Sequence, residues 1–264
     1  MTTQRTIKVN IPNKSLLALK KGGYKMVIFR GVASLSEDTK STVFMSVDAS
    51  NLQEQNEISW NNQYYGFTSK SSLVCGGRVH ASSSRKMDLG DVLTIGEDST
   101  TLSVTTPNDS NLVEQYLLKV HNDGESTVCG FSMTHPHTSQ PAQICAASIP
   151  GKSKASIMPL DRYMVMFTSN QGFDENVAVS HITSNSAIID FNQHVESREV
   201  TYNYDSGLFA QGCDMDSMFF DPTETNGWLS NTWNTIKKAG KVVLNDTLNI
   251  VGKQAVNVIK EVMK

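Results

Sequence analysis

The chain has 264 residues, of which 39% are hydrophobic and 19% charged, enough for one large domain or two smaller ones. Its net charge of −3 is uneven: from Trp228 onward six lysines face two acidic residues, a net of +4, so the preceding part has 17 basic and 24 acidic residues, a net of −7. An acidic body argues against nucleic-acid binding, because phosphate groups need a positive surface. Sparse charge with abundant Ser, Thr and Asn favours turn-rich β-structure over a helical bundle.

The first ten residues are mostly polar and lack the apolar run of a secretion signal. No stretch reaches the roughly 18 apolar residues of a transmembrane helix. We therefore expect synthesis in the cytoplasm without a signal peptide, with any later release by a non-classical route. In such a reducing compartment the irregularly spaced Cys75, Cys129, Cys145 and Cys213 are expected to be free thiols.

Short strands separated by polar turns are predicted along most of the chain. Residues 15–21 are predicted as a short helix or an irregular link that ends at Gly22-Gly23. The following run, residues 24–32, is apolar on both parities and predicts a strand buried on both faces. The predicted strands are 6–11, 24–32, 42–47, 57–60, 64–68, 72–75, 78–81, 92–95, 102–105, 116–120, 127–133, 144–149, 153–158, 163–168, 177–182, 187–191 and 200–204.

Many short strands with frequent turns predict an all-β fold with a β-sandwich or jelly-roll-like body. Asn122-Asp123-Gly124 and Pro150-Gly151 are typical of tight turns, and we expect a hairpin at each. We expect the body to cover residues 1–207, either as one unit or as two β subdomains, 1–107 and 108–207.

A linker loop at 208–227 then leads to residues 228–264, which contain no proline. Their apolar residues recur at intervals averaging near one helical turn, which predicts one long C-terminal amphipathic α-helix with lysines on its other faces. Such a helix is marginal alone in water and needs an apolar partner: the body, another copy of the chain, or lipid. The expected contact residues are Trp228, Leu229, Trp233, Ile236, Lys237, Lys241, Val243, Leu244, Leu248, Val251, Val258 and Val262.

This helix predicts a non-enzymatic protein with two alternative functions. The first hypothesis is a membrane-active protein, such as a pore-forming toxin or defence protein, whose helix inserts into an anionic membrane surface with its tryptophans at the interface. The alternative is a self-assembling structural protein, a shell, filament or inclusion, whose helix docks on the acidic body of a neighbouring subunit. We expect a homo-oligomer.

A dense aromatic group, Trp60, Tyr64, Tyr65 and Phe67, allows two interpretations. Exposed on a loop, these rings would suit a glycan or lipid headgroup and make the chain a lectin. Buried, Trp60 and Tyr65 would be core residues of a central hairpin that turns at Asn61-Asn62. The sequence favours the buried interpretation.

No motif with a known chemistry is complete in the chain. His135-Pro136-His137 places two metal-binding side chains two residues apart, but no third ligand accompanies them at a suitable spacing, so a polar loop is the simpler interpretation. The glycine pairs lack the lysine and helix of a phosphate loop, and there is no Gly-x-Ser-x-Gly elbow. Asp214, Asp216 and Asp221 lack the central glycine of a calcium loop. We therefore expect no catalytic, metal or cofactor site.

Two segments resemble a recurrent pattern in poorly characterised fungal and bacterial β-sandwich proteins. The first runs from Ile58-Ser59-Trp60 through Tyr64-Tyr65-Gly66-Phe67-Thr68 and Gly77-Arg78-Val79-His80-Ala81 to Leu89-Gly90-Asp91, and the second is Tyr116-Leu117-Leu118-Lys119-Val120-His121-Asn122-Asp123-Gly124. The resemblance covers the central half of the chain and implies an all-β fold without a particular activity. In architecture the chain is also similar to actinoporin-type pore formers, although their amphipathic helix is N-terminal, so no residue carries over.

Overall fold

The computed structural model describes residues 4–34, 38–108, 114–180, 182, 184–191, 195–211 and 218–220. Strands dominate this part of the chain, so the prediction of an all-β fold is confirmed. The predicted C-terminal helix at 228–264, with all of its expected contact residues, lies outside the described residues.

The described part contains eighteen strands, one α-helix and two short 3-10 helices, η1 and η2. In chain order they are β1 (Gln4–Asn10), α1 (Asn13–Lys21), β2 (Lys25–Ser34), β3 (Lys40–Thr42), β4 (Met45–Val47), η1 (Ala49–Asn51), β5 (Gln55–Asn61), β6 (Tyr64–Ser69), β7 (Ser83–Met87), β8 (Val92–Ile95), β9 (Leu102–Thr105), η2 (Glu114–Tyr116), β10 (Leu118–Asn122), β11 (Thr127–Thr134), β12 (Pro141–Ile149), β13 (Ser153–Thr168), β14 (Ala178–Val179), β15 (Ser186–Asp190), β16 (Ser197–Asn203), β17 (Leu208–Gln211) and β18 (Met218–Phe220).

The described strands form three sheets. A four-stranded sheet has the order β17-β16-β1-β5, in which β1 and β16 are parallel. A six-stranded antiparallel sheet has the order β14-β3-β12-β11-β6-β7. The eight-stranded sheet is built on the long strand β13: β10 and β15 pair with successive parts of one edge, and β2 pairs along the other. β4 extends this sheet beyond β2, β8 and β9 extend it beyond β10, and β18 extends it beyond β15.

Each sheet joins strands from both halves of the chain. β1 pairs with β16, β2 with β13, and β6 with β11. The alternative of two β subdomains, 1–107 and 108–207, therefore does not describe this body. The body also extends past residue 207, where the sequence predicted a linker loop, because β17 pairs with β16 and β18 pairs with β15. Gly207, with a φ of 66°, makes the turn that sends β17 back along β16.

One apolar core draws side chains from all three sheets, and β2 and β13 are covered on both of their faces. Met26 and Ile28 of β2 face the main core, whereas Val27 and Phe29 pack against a second cluster that includes Phe173. The prediction of a doubly buried strand at 24–32 is confirmed. For residues 15–21 the sequence left a short helix and an irregular link as alternatives, and the structure shows the helix, α1.

The two turns predicted as hairpins are instead crossings between sheets, so that prediction is wrong. The turn after β10 leads to β11 in the six-stranded sheet, and the turn after β12 leads back to β13 in the eight-stranded sheet. The buried side chain of Asn122 joins both crossings: its Nδ2 donates to the carbonyls of Glu125 at 2.8 Å and Pro150 at 3.0 Å. Its Oδ1 accepts the N–H of Gly124 at 3.1 Å.

Several strands also differ from the prediction, and three of the differences have a clear cause or consequence. The run at 42–47 is two strands, because β3 and β4 pair in different sheets. Residues 71–82 form no strand and make one isolated bridge, between Arg78 and Val177. β7 was not predicted because its sequence, SSRKM, has no apolar alternation; it is an edge strand in which only Met87 is buried.

Replacing Asn122 with alanine removes three hydrogen bonds at the two sheet crossings. We expect the free energy of unfolding to fall by about 2–3 kcal/mol, because each lost bond contributes roughly 1 kcal/mol and buried partners are left unpaired. The control is Gln53→Ala, at an exposed amide side chain without a hydrogen bond to another described residue, with an expected change within about 0.5 kcal/mol. Urea denaturation followed by circular dichroism measures both variants, and equal midpoints would contradict this role for Asn122.

Candidate functional site

The predicted aromatic group does not form an exposed platform. Trp60, Tyr64 and Phe67 are buried, and of these four residues Tyr65 is the half-buried one. Their strands, β5 and β6, belong to different sheets, so Asn61-Asn62 joins two sheets and no hairpin forms. Because the faces of three rings are covered by protein, a glycan cannot stack on them. The alternative of a glycan site on these rings is therefore wrong, and the favoured interpretation of Trp60 as a core residue is confirmed, although without the predicted hairpin.

Trp60 and Tyr64 belong to a buried group that we call the Arg30 cluster: Arg30, Arg5, Trp60, Tyr64, Asp161 and Tyr163. Arg30 on β2 is 1% exposed. Its Nη2 donates to the Tyr64 hydroxyl at 2.7 Å, its Nη1 to Asn62 Oδ1 at 3.0 Å, and its Nε to the Leu160 carbonyl at 3.0 Å. The guanidinium carbon lies 5.1 Å from the ring centre of Tyr64 and 5.3 Å from that of Tyr163, within range of cation–π attraction.

Asp161 supplies the negative charge of the cluster. It lies in the bulge where β13 shifts register between Pro159 and Tyr163. Its Oδ2 accepts two hydrogen bonds from Arg5, from Nε at 2.8 Å and Nη2 at 2.6 Å. Burial opposes the charged form of Arg30, but the neighbouring Tyr163, Tyr64 and Asp161 outweigh it, and the pKa of Arg30 is raised. The arginine therefore stays charged inside the core.

The tyrosine hydroxyls stay protonated and complete the network. Burial raises the pKa of Tyr163, whose hydroxyl accepts the Trp60 Nε1–H at 2.9 Å. Burial likewise raises the pKa of Tyr64. Since Nε, Nη1 and Nη2 of Arg30 each have a partner within the protein, the guanidinium has no nitrogen left for a ligand. The Arg30 cluster therefore joins strands of all three sheets and has a structural role.

Arg30→Ala removes the charge and leaves the Tyr64 hydroxyl, Asn62 Oδ1 and the Leu160 carbonyl without their partner. We expect a loss of about 3–5 kcal/mol in unfolding free energy, because hydrogen bonds to a charged group contribute roughly 1.5–3 kcal/mol each and those around one side chain are not fully additive. Arg30→Lys should not restore it, because an ammonium cannot match three groups arranged around a planar guanidinium. The exposed Arg85→Ala is the control, expected within about 0.5 kcal/mol. Denaturant titration measures the unfolding free energy of each variant. An Arg30→Ala protein as stable as the control would contradict the structural role of the Arg30 cluster.

The buried His135 and the half-buried Glu175 form a polar pair. His135 Nε2 lies 3.1 Å from Glu175 Oε1, which also accepts the Ser46 N–H at 3.2 Å. His135 Nδ1 accepts the backbone N–H groups of His137 at 3.1 Å and Thr138 at 3.2 Å. Because Nδ1 is an acceptor, the proton of the neutral ring lies on Nε2 and is donated to Glu175. Both ring nitrogens are engaged, so His135 shapes the turn after β11.

The carboxyl of Glu175 makes this pair sensitive to acid. Burial opposes its charged form, but hydrogen bonds from His135 and from the Ser46 N–H outweigh burial and lower its pKa. A carboxyl with a lower pKa in the folded chain stabilises the fold above its unfolded pKa, about 4.3. That contribution is lost as pH falls through the lower, folded value.

We therefore expect the difference in unfolding free energy between wild type and Glu175→Gln to be constant between about pH 7 and pH 5 and to shrink below about pH 4. Denaturant titrations across this range measure it. The control is Glu125→Gln, at an exposed carboxyl without a side-chain hydrogen bond to another described residue, which should show no such trend. A wild-type advantage over Glu175→Gln that persists unchanged to about pH 3 would refute the assignment.

A cleft of about 300 Å³, which we call the polar cleft, opens between β4, the segment that enters β5, and the turn after β11. Met26, Val47 and Ile58 form its apolar part. The amide side chains of Asn51, Gln53 and Gln55 line it, together with Ser46, Glu57 and His137. Its volume is at the lower end of that of small-molecule sites.

The wall of the polar cleft is fixed by Asn56. Its Nδ2 donates to the carbonyls of Val9 at 3.1 Å and Gln53 at 2.7 Å, and its Oδ1 accepts the Gln53 N–H at 3.0 Å. The Asn56 amide is therefore fully used in shaping the chain. In contrast, the side chains of Asn51, Gln53 and Gln55 have no hydrogen bond to another described residue, which leaves their amides available to a ligand.

The outer face of α1 forms a second surface, which we call the basic corner: Leu17, Lys20 and Lys21. The inner face of α1 buries Ser15, Leu16 and Leu19. On the outer face Leu17 is 62% exposed. Among the described residues neither Lys20 nor Lys21 forms an ion pair, and both are exposed.

The turn between β16 and β17 contacts α1 through Tyr204 and Asp205. The Ser15 hydroxyl accepts the Tyr204 N–H at 3.1 Å, and Lys14 pairs with Asp205 at 2.6 Å. Beyond the other end of α1, the Tyr24 ring contacts Tyr204 edge-on with centres 5.8 Å apart. The helix and the turn are therefore held together at both ends of α1.

The cysteines that the structure describes, Cys75, Cys129 and Cys145, are free thiols, as predicted, while Cys213 lies outside the described residues. Burial raises the pKa of Cys145 to about 12, so this thiol is inert at neutral pH. In the described ranges no three His, Cys, Asp or Glu side chains lie close enough to hold a metal ion.

Comparison with protein-family models, with curated proteins and with solved structures gave no match. The resemblance to fungal and bacterial β-sandwich proteins therefore stays a prediction. Within the described part of the chain, no helix has both the length and the apolar character needed to cross a bilayer. The polar cleft and the basic corner are the two surfaces of the described residues on which the proposals below rest.

Proposed function

We propose that this chain is a non-enzymatic, membrane-active protein that binds anionic bilayers through its basic corner and through residues 228–264. The observation that carries the proposal is the outer face of α1, where Leu17 is more than half exposed beside Lys20 and Lys21. At the boundary of an anionic membrane, such a leucine enters the acyl region while the lysines stay among the headgroups.

An exposed leucine alone is ordinary, and lysines at a helix C-terminus are favoured by the helix dipole. The proposal therefore also rests on the sequence of residues 228–264, which combines a net charge of +4, two tryptophans and a regular apolar spacing. In this proposal the body is jelly-roll-like and residues 228–264 form an amphipathic helix once lipid covers their apolar face. A pore-forming protein would in addition insert into the bilayer and cause the vesicle contents to leak.

Self-assembly is the second candidate function. The observation that favours it is the opposite charge of residues 228–264, a net of +4, and of the rest of the chain, a net of −7. A segment of one copy would then cover the acidic surface of the next, giving a shell, filament or inclusion. Light scattering in low-salt buffer without lipid distinguishes the two functions, because only assembly produces large particles there.

Vesicle co-sedimentation tests the membrane proposal with three variants of the full chain. Leu17→Ser with Lys20→Gln and Lys21→Gln alters the basic corner, and Trp228→Ser with Trp233→Ser alters the C-terminal segment. The matched control, Val74→Ser with Lys70→Gln and Lys86→Gln, likewise replaces one exposed aliphatic residue and two exposed lysines, but elsewhere on the body. Each lysine near an anionic surface contributes about 1 kcal/mol, so we expect the corner variant to bind at least about tenfold more weakly.

We expect wild type and the control to bind vesicles containing phosphatidylserine, more weakly as salt rises, and to bind neutral vesicles poorly. The tryptophan variant should bind anionic vesicles less well than wild type. Failure of wild type to bind anionic vesicles, or binding by the corner variant as tight as that of the control, would contradict the proposal. Dye leakage measured on the same samples shows whether binding proceeds to insertion.

A further inference from the structure

We propose that the polar cleft is a binding site for a neutral polyhydroxylated ligand, a sugar ring. This site is distinct from the buried aromatic group that the sequence offered as a lectin site. It is built from Met26 of β2, Val47 of β4, Ile58 of β5 and the amide side chains that precede and begin β5.

The charge of the lining narrows the class of ligand. The described residues that line the polar cleft include no lysine and no arginine, so a phosphate or other anion would find no cation there. Glu57 is the single carboxylate of that lining, and it lies 3.5 Å from Lys8. One carboxylate that already faces a lysine is a poor site for a divalent cation, which takes several oxygen ligands. A neutral polar ligand remains.

The hydrogen-bonding groups of the lining match hydroxyl groups. Asn51, Gln53 and Gln55 each offer an amide that both donates and accepts, as a hydroxyl does. None of these side chains has a hydrogen bond to another described residue, so binding breaks no bond described within the protein. The exposed ring of His137 adds a further hydrogen-bond donor or acceptor. The His137 backbone N–H is held in place because it donates to His135 Nδ1 at 3.1 Å.

The apolar part of the polar cleft suits the C–H face of a sugar. Three apolar residues line the cleft: Met26 and Ile58 are buried core residues, and Val47 is half-buried. Sugars present apolar C–H groups on one face and hydroxyls around their edge. A lining that combines apolar side chains with amide groups is complementary to that distribution, and the 300 Å³ volume holds a ligand of this size class.

The position of the polar cleft favours a ring carried by a membrane lipid, and this part of the inference rests on the proposed function. α1 contacts η1, whose last residue, Asn51, lines the cleft. The Asn13 side chain of α1 also donates to Glu54 at 2.8 Å, next to Gln53 and Gln55. The cleft therefore neighbours the helix that carries the basic corner. A body docked through α1 would hold the cleft close to the headgroups.

The test uses the full-length protein on an array of neutral mono- and oligosaccharides, followed by calorimetry of each glycan that binds. Gln53→Leu with Gln55→Leu removes two amides from the cleft at nearly constant size. Gln115→Leu with Gln171→Leu makes the same changes at exposed positions outside it. A second arm compares neutral phosphatidylcholine vesicles with and without a neutral glycosyl ceramide, so that a failure of anionic-membrane binding does not affect the result.

We expect binding of at least one neutral glycan, weakened at least about tenfold in the cleft variant and unchanged in the control variant. Binding of the free glycan identifies a soluble sugar as sufficient, whereas binding only to glycolipid vesicles identifies the bilayer-borne sugar. Binding that survives in the cleft variant, or that falls equally in both variants, would overturn the assignment to the cleft. Absence of binding to every neutral glycan and to the glycolipid vesicles would overturn the proposal.

Discussion

The buried charge of Arg30 constrains the rest of the body. An unpaired cation inside a protein is very costly, so the guanidinium must have partners in several directions at once. Those partners come from separate segments: Tyr64 from β6, Leu160 from the bulge in β13, and Asn62 from the link between two sheets. Satisfying this one side chain therefore fixes how the three sheets lie against each other.

The same constraint positions the surfaces to which we assign function. Met26 lies on β2 four residues before Arg30, and Ile58 lies on β5 two residues before Trp60. Two apolar lining residues of the polar cleft thus belong to strands that the Arg30 cluster holds in place. The helix α1, which carries the basic corner, lies between β1 and β2 in the chain.

The sequence predicted the properties that depend on local pattern. Apolar residues on both parities identified β2 as doubly buried, whereas for residues 15–21 the sequence left a short helix and an irregular link as alternatives. The pairing of strands could not be predicted from the sequence. A turn such as Asn122-Asp123-Gly124 has the same composition whether the chain forms a hairpin or crosses to another sheet. The basic corner could have been predicted from the sequence, because Leu17 stands among lysines. The polar cleft could not, because residues distant in sequence, such as His137 and Gln53, line it together only in the folded chain.

The central claim is that residues 228–264 enter a membrane interface while the body stays folded around the Arg30 cluster, and tryptophan fluorescence tests it most directly. The chain has three tryptophans: Trp60, which is 4% exposed within the body, and Trp228 and Trp233 in the C-terminal segment. With anionic vesicles we predict a blue shift of the emission and quenching by brominated lipid, both abolished by Trp228→Phe with Trp233→Phe. An emission spectrum unchanged by anionic vesicles and untouched by brominated lipid would contradict the account.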